Sequence, residues 1–342
     1  MLRCANFFIV MKKLFLLLVG AGMLFTARTA AQPNNKLIKF QDEKTQKICI
    51  NLRVGDGLTA DANSDRELSY EEAAAVINLY PSPFIGKEIT TFNELKYFKG
   101  LKSIPNYAFK DCISLISVII PDSVTSIGKE AFANCTSLTN VIIPDSVTSI
   151  GRMAFANCTS LTSVTIGNHV TSIDYKVFEG CSSLKEVYYT GDLSAWCKID
   201  SKGRLLSPAI KFYINGAELT DITIPSDITE IKKDAFRMCV SLTSVTIPNS
   251  VTSIGESAFN YCTSLTSVTI GNSVTSIGQS AFSSCKSLTE VYCKPTTPPT
   301  INNSIFGLGR GLKIYVPRNS VDTYKSAEVW NQYADYIEGY DF

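Results

Sequence analysis

Two groups of residues in this sequence could carry chemistry. The first is acidic: Asp61, Asn63, Asp65, Glu67, Ser69 and Glu72 stand at positions 1, 3, 5, 7, 9 and 12 of the stretch DANSDRELSYEE. That spacing lets oxygen atoms converge on a hard cation, position 7 through its backbone carbonyl and position 12 through both carboxylate oxygens. The expected ion is Ca2+, held weakly, at about 0.1–1 mM. Its role would be structural, neutralising the clustered carboxylates and fixing two helices against the rest of the chain. The sixth position opposes this. The sharp turn there asks for glycine, the residue is Arg66, and a left-handed arginine costs about 1 kcal/mol. A polar loop entering a helix capped by Glu72 explains the same residues without a metal.

The second group is the cysteines, eleven in all. Cys112, Cys135, Cys158 and Cys181 are 23 residues apart, and Cys239, Cys262 and Cys285 resume that spacing after a gap of 58. Stacked at one repeat position, they read as small buried thiols filling a tight corner. Disulfides between adjacent coils are the rival, since a spacing near 5 Å falls within the permitted Cα range. Zinc is disfavoured because there is no Cys-x-x-Cys pair and the one histidine, His169, lies outside the column. The same scarcity argues against a Ser/His/Asp triad. Cys49, Cys197 and Cys293 fall outside the column and carry no assigned role. Carboxylate pairs such as Glu186 with Asp192 or Asp221 would need a shared cleft and one raised pKa. A smooth repeat offers neither, so the chain is expected to be non-catalytic.

The elements that would position these groups follow from the period. Residues 135–157 read CTSLTNVIIPDSVTSIGRMAFAN, and 262–284 read CTSLTSVTIGNSVTSIGQSAFSS. Self-similarity at this period means a solenoid in which one repeat is one coil. Leu138, Val141, Ile143, Val147, Ile150 and Phe155 form a stripe that one coil cannot bury alone but stacked coils bury continuously. The alternation from Leu138 to Ile143 predicts a strand, paired in parallel with its neighbours and ended by Pro144. Ser146 to Gly151 predicts a shorter extended segment, with Gly151 supplying a turn conformation that other residues resist. Residues 152–155 then predict one helical turn.

These repeats resemble the BspA-like leucine-rich repeats of secreted and surface bacterial proteins. The resemblance covers roughly residues 92–340. It implies a right-handed, curved solenoid with a parallel β-sheet on the concave face and short extended and helical turns elsewhere. Residues 187–225 look like the family's insertion, placed at about 188–220, and residues 312–342 like its C-terminal cap, with a last strand at 312–316 and a helix from near Ser320. Helices predicted at 42–52, capped by Asp42, and at 69–80, opened by a Ser69/Glu72 capping box, flank the acidic loop. Together they resemble the single EF-hand-like loop of dockerin-type modules. The expected organisation is therefore a signal peptide at 1–31, a small helical EF-hand-like module at 32–91, the solenoid at 92–311 and the cap at 312–342. One visible loop does not imply cohesin binding.

Residues 11–31 run from Met-Lys-Lys through an apolar stretch, Leu14 to Phe25, to Thr29 and Ala31, the pattern of a secretory signal peptide cleaved before Gln32. No spanning segment follows, so the mature chain is expected to be exported from a bacterium and secreted or held at the cell surface. A net charge of +1 removes the footprint of a nucleic-acid partner, and 45% hydrophobic residues exclude wholesale disorder. Asn134 and Asn157 open N-glycosylation patterns that periodicity explains.

Function then rests on the outward strand positions. These are Ser117 and Ile119; Asn140 and Ile142; Ser163 and Thr165; Glu186 and Tyr188; Asp221 and Thr223; Ser244 and Thr246; Ser267 and Thr269; Glu290 and Tyr292. Eight strands about 4.8 Å apart span roughly 35–40 Å, enough for a protein or glycan partner. The family resemblance implies an interaction protein that binds a host matrix protein or a neighbouring cell surface, and the chain is expected to be a monomer. The alternative is a glycan-binding accessory protein using Tyr188, Tyr189, Tyr213 and Trp196. Those aromatics could equally pack the insertion onto the solenoid, and Ser and Thr could be present only because strands favour them.

Overall fold

The computed structural model describes residues 36–54, 58–201, 210–301, 305–307 and 311–342. The proposed signal peptide, residues 1–31, lies outside them. Among the described residues no helix is long and apolar enough to cross a membrane.

Each repeat is one coil with two extended sides. The longer sides include Asn140–Ile143, Ser163–Ile166 and Glu186–Tyr189, then Ser244–Ile247, Ser267–Ile270 and Glu290–Cys293. They pair in parallel and in register, Val141 with Val164 and Val164 with Val187, Val245 with Val268 and Val268 with Val291. The inward valines and isoleucines are buried, while the residues between them face out. The shorter sides, such as Ser149–Ile150 and Ser253–Ile254, build parallel ribbons of their own. Threonine hydroxyls extend both ladders: Thr125, Thr148 and Thr171 each donate to the carbonyl 23 residues upstream, and Thr243 and Thr266 do the same beside the longer strands.

Two expectations change here. The segment after each glycine is a pair of turns, not a helical turn. Glu130 and Asn134 take φ of 52° and 63°, and the equivalents Met153, Asn157, Ser257 and Tyr261 do likewise. This geometry aims alternate N–H groups at the next coil: Glu130 N–H donates to the Arg152 carbonyl, Phe132 to Ala154 and Asn134 to Ala156. A helix would have spent them within its own turn. The glycines are not in the left-handed region either. A Cβ on Gly151 would lie 2.7 Å from Lys129 N, and one on Gly255 2.5 Å from Lys233 N. Glycine is needed because two backbones touch.

Between the ribbons the core is a column. Phe109, Phe132 and Phe155 stack at 5.0 and 5.1 Å, and Phe236, Phe259 and Phe282 at 5.2 Å. Column cysteines sit beside this stack with thiols donating to the phenylalanine carbonyl of the preceding coil, among them Cys135 to Phe109, Cys158 to Phe132, Cys262 to Phe236 and Cys285 to Phe259, at 3.1–3.2 Å.

The array is interrupted once. After Glu186–Tyr189 comes helix Leu193–Lys198, capped by Asp192. Strand Lys211–Ile214 then joins Glu186–Tyr189 in parallel before turning back through Asn215 and Gly216, both at positive φ, into the antiparallel strand Ala217–Glu218. This hairpin divides the long sheet into five-stranded and six-stranded parts. At the C-terminal end, strand Lys313–Pro317 is followed by helix Val321–Ser326 and a 3-10 segment Trp330–Tyr336. A final strand that the repeat pattern does not predict, Ile337–Tyr340, then pairs in parallel with Lys313–Pro317. Buried aromatics tie the end down, with Trp330 Nε1 donating to the Pro299 carbonyl and Tyr324 hydroxyl to Pro295.

At the N-terminal end, helix Glu43–Cys49 docks on the first coil through Asp42. Its carboxylate caps the helix at Thr45 N and accepts the Thr90 N–H and hydroxyl, both at 2.6 Å. Helix Tyr70–Ala75 opens with the capping box of Ser69 and Glu72.

Candidate functional site

The outward face of the long sheet is mostly small and hydroxylated: Ser163, Thr165, Ser244, Ser267 and Thr269 are half-buried, Thr223 and Thr246 exposed. Two departures stand out, and they are copies of each other. In the first, strand Ser163–Ile166 lies beside Glu186–Tyr189, which lies beside Lys211–Ile214, so that Thr165, Tyr188 and Tyr213 are register neighbours, as are Ser163, Glu186 and Lys211. In the second, Thr269, Tyr292 and Tyr315 are neighbours, as are Ser267, Glu290 and Lys313.

Geometry repeats along with residue type. Tyr188 stacks on Tyr213 at 4.6 Å and 16°, and Tyr292 on Tyr315 at 4.9 Å and 19°. The first tyrosine of each pair donates its hydroxyl to its own glutamate, Tyr188 to Glu186 at 2.9 Å and Tyr292 to Glu290 at 3.3 Å. That bond to Glu186 raises the Tyr188 pKa, whereas burial, then the Glu290 charge, raises that of Tyr292. The lysine of each third strand turns away to a further glutamate: Lys211 to Glu218 at 3.4 Å, Lys313 to Glu338 at 3.1 Å. Tyr340, from the final strand, packs against both Tyr292 and Tyr315.

Glu186, Tyr188, Glu290 and Tyr292 follow from the repeat pattern, whereas Lys211, Lys313, Tyr315, Glu338 and Tyr340 join them only in the folded sheet. A signal for part of this was present: one period added to Glu290 and Tyr292 gives Lys313 and Tyr315.

The other aromatics of the insertion turn inward. Tyr189 and Trp196 are buried, their rings 5.3 Å apart, and Trp196 Nε1 donates to the Ala235 carbonyl. They clamp the insertion to the solenoid. The acids considered for catalysis are engaged separately: Asp192 caps its helix at Ala195 N, and Asp221 accepts the hydroxyls of Ser244 and Thr243, which hold its carboxyl below the usual range. His169 is exposed, its Nδ1 2.9 Å from the Asp145 carbonyl.

In the acidic loop Arg66 takes φ 67°, the left-handed conformation that the spacing demands at its sixth position. Asp61 closes the loop by accepting the N–H groups of Asp65 and Arg66 at 3.2 and 2.9 Å. Asn63 Nδ2 and the Glu67 N–H donate to Asp65. Glu72 accepts the Ala62 N–H and both the N–H and hydroxyl of Ser69. Among the described residues no three His, Cys, Asp or Glu side chains gather as a metal-binding group. The carboxylates here are turned onto backbone donors.

All ten described cysteines are free and buried. Burial pushes the thiols of Cys112, Cys197, Cys239 and Cys293 up to about 12. The asparagines of the two glycosylation patterns form a ladder, Asn157 Nδ2 donating to Asn134 Oδ1 and Asn134 Nδ2 to Asp111, so periodic stacking accounts for both.

Comparison with known proteins agrees with this architecture. A sequence model described as the BspA type leucine rich repeat region matches residues 87–198 and 210–327, in six copies. No curated protein matches the chain. Among solved structures it is similar to a leucine rich cell surface protein from Faecalibacterium prausnitzii, with 25% identity over 74% of this chain and 77% of that one and a TM-score of 0.43. A leucine rich repeat protein of T. pallidum matches at 25% identity over 58% of this chain and 78% of its own, with a TM-score of 0.32. One from Bacteroides ovatus matches at 22% over 81% and 89%, with a TM-score of 0.29.

Proposed function

The chain belongs to the BspA-type leucine-rich repeat family, and from that premise we propose that it is an exported, non-catalytic protein that binds macromolecules of a host matrix or a neighbouring cell through the outward face of its long sheet. The observation that carries this reading is the paired tyrosine stacks, set on a face that is otherwise mostly small and hydroxylated apart from the exposed Ile119 and Ile142. Tyrosine supplies a large, amphipathic contact at low entropic cost, the kind of residue that anchors interfaces. A screen of the purified protein against matrix proteins and glycans tests it. A hit lost on Tyr188→Ser or Thr246→Lys supports the sheet as the binding face. A hit indifferent to both removes it.

A glycan partner is the second reading, supported by the half-exposed phenol rings and their flanking hydroxyls. Rings standing face to face offer a sugar less open surface than rings lying side by side, which favours a protein.

A structural calcium ion in the loop 61–72 is proposed alongside. Its support is the left-handed Arg66 and the capped helix behind Glu72. Asp61, Asn63, Asp65, Glu67, Ser69 and Glu72 would hold it, their oxygens giving up N–H partners to the ion. A melting temperature unchanged by millimolar calcium, or raised equally in Glu72→Ala, would remove this proposal.

A further inference from the structure

We infer that the sheet grips a basic polypeptide segment at two points, taking one arginine or lysine side chain into each of two equivalent notches, Glu186 with Tyr188 and Glu290 with Tyr292. This rests on the sheet face being the binding face, as proposed above, and adds the chemistry of the partner.

The two places match strand for strand. Each has a small floor (Ser163 and Thr165, or Ser267 and Thr269), a tyrosine wall and a glutamate at the corner. One face of the wall is covered by the stacked Tyr213 or Tyr315, and the hydroxyl is pinned by the glutamate. The ring therefore stands fixed, with its other face towards the strand of small residues. An aromatic face beside a carboxylate is a site for a cation, and a guanidinium fits best because it stacks on the ring while donating to the acid.

The neighbouring charges leave this place open. The lysine that could have filled each notch is drawn to Glu218 or to Glu338. Lys294, near the second notch, lies over the Phe342 ring. Among the described residues neither Glu186 nor Glu290 has a cation within ion-pair distance, and the outward face as a whole carries Glu186, Glu218, Asp221, Glu290 and Glu338 against Lys211 and Lys313.

The separation sets the spacing of the partner's charges. Four paired strand steps of about 4.8 Å and the break at the hairpin lie between the notches, so the charges must stand more than about 19 Å apart, at least about six extended residues.

The test is fluorescence anisotropy of the purified protein with Gly/Ser peptides carrying two arginines eight positions apart, a single arginine, or two citrullines, which keep the shape and remove the charge. The two-arginine peptide should bind at least about tenfold more tightly than the one-arginine peptide, weaken with salt, and outbind the citrulline peptide. Glu186→Gln and Glu290→Gln, near-isosteric surface changes, should each reduce it to the one-arginine level, and together abolish it. Equal binding of the citrulline peptide, equal binding of the one- and two-arginine peptides, or full binding by the double variant would each overturn the inference. A matrix protein or neutral glycan captured through Tyr188 while every arginine peptide fails would also overturn it, yet leave the wider reading of the face standing.

Discussion

Gly151 offers the sharpest test of how the coils are held. Replacing it with alanine sets a Cβ 2.7 Å from Lys129 N, 2.8 Å from Gly128 C and 3.0 Å from Ile127 O, all backbone atoms of the preceding coil. No side chain can rotate to make room. Ordinary contact needs about 3.5 Å, so the coils must part locally by about 0.7 Å, forfeiting a quarter to a half of the dispersion between them. The Gly151 N–H to Ile127 carbonyl bond, now 2.8 Å, stretches as they part. The expected cost lies at the upper end of overpacking, about 2–3 kcal/mol, or a fall in melting temperature of about 3–5 °C for a folded unit of this size. Thermal unfolding followed by circular dichroism measures it. Asparagine, which tolerates left-handed backbone, should do no better than alanine at this position. The contrast is Gly216, with φ 78° and nothing within 4 Å of an added Cβ, where alanine costs about 1 kcal/mol through backbone conformation alone. A Gly151→Ala protein within about 0.5 kcal/mol of the parent, or a clear rescue by asparagine, would refute the close-approach explanation.

Three further outcomes are expected. Unfolded in guanidinium without reductant, the protein should release all ten described cysteines to a thiol reagent, while the native protein stays unreactive because each thiol is buried and hydrogen-bonded or desolvated; fewer than ten on unfolding would reveal disulfides. Asp42→Asn should loosen the N-terminal helix by about 1–3 kcal/mol through lost charge-assisted bonds, read as faster amide exchange over residues 43–49. Burial works to raise the Asp42 pKa, but the Thr90 hydroxyl and N–H and the Thr45 N–H outweigh it and leave it lowered from 3.8, so its contribution is present above about pH 4 and lost as pH falls through the lowered folded value; a parent protein whose exchange there is unchanged down to pH 2.5 contradicts this. Trp196→Phe should cost about 1 kcal/mol by orphaning the Ala235 carbonyl, with the loss seen in urea unfolding, and no change would mean that the insertion is held by packing alone.

The period made the solenoid legible, because an apolar stripe recurring every 23 residues has one way to be buried. Val141, Val164 and Val187 pair as expected, and the cysteine column is buried. What the sequence concealed were properties of the contact between coils. Gly151 looks like any turn glycine until its neighbour's backbone is in place. Glu130, Met153 and Ser257 are ordinary helix or strand residues by propensity, yet their N–H groups serve the next coil only from a left-handed turn. The second tyrosine of each stack was hidden differently: Tyr213 follows Tyr188 by 25 residues, not 23, because the insertion shifts the register. The final strand Ile337–Tyr340 offers too few alternating residues to announce itself.

A solenoid also says which of its residues are free to mean something. Threonines at the strand entries are committed, since Thr148 and Thr243 lend their hydroxyls to the ladder. The outward positions are not, because serine, threonine, asparagine and isoleucine all occupy them without disturbing the register of Asn140–Ile143 or Ser163–Ile166. Glutamate and tyrosine at 186 and 188, and again at 290 and 292, are therefore not demanded by stacking. One structural explanation competes: each unit stands just before a change in the array, the first at the insertion and the second at the cap, so the stacks could serve to seat an irregular strand. The two explanations separate at the glutamates. If seating is their role, Glu186→Ala and Glu290→Ala, which remove the acceptor, release the Tyr188 and Tyr292 hydroxyls and lower the melting temperature. If the notches exist for a partner's cation, the same changes leave stability within about 0.5 kcal/mol, the range of surface substitutions, while binding of an arginine peptide collapses.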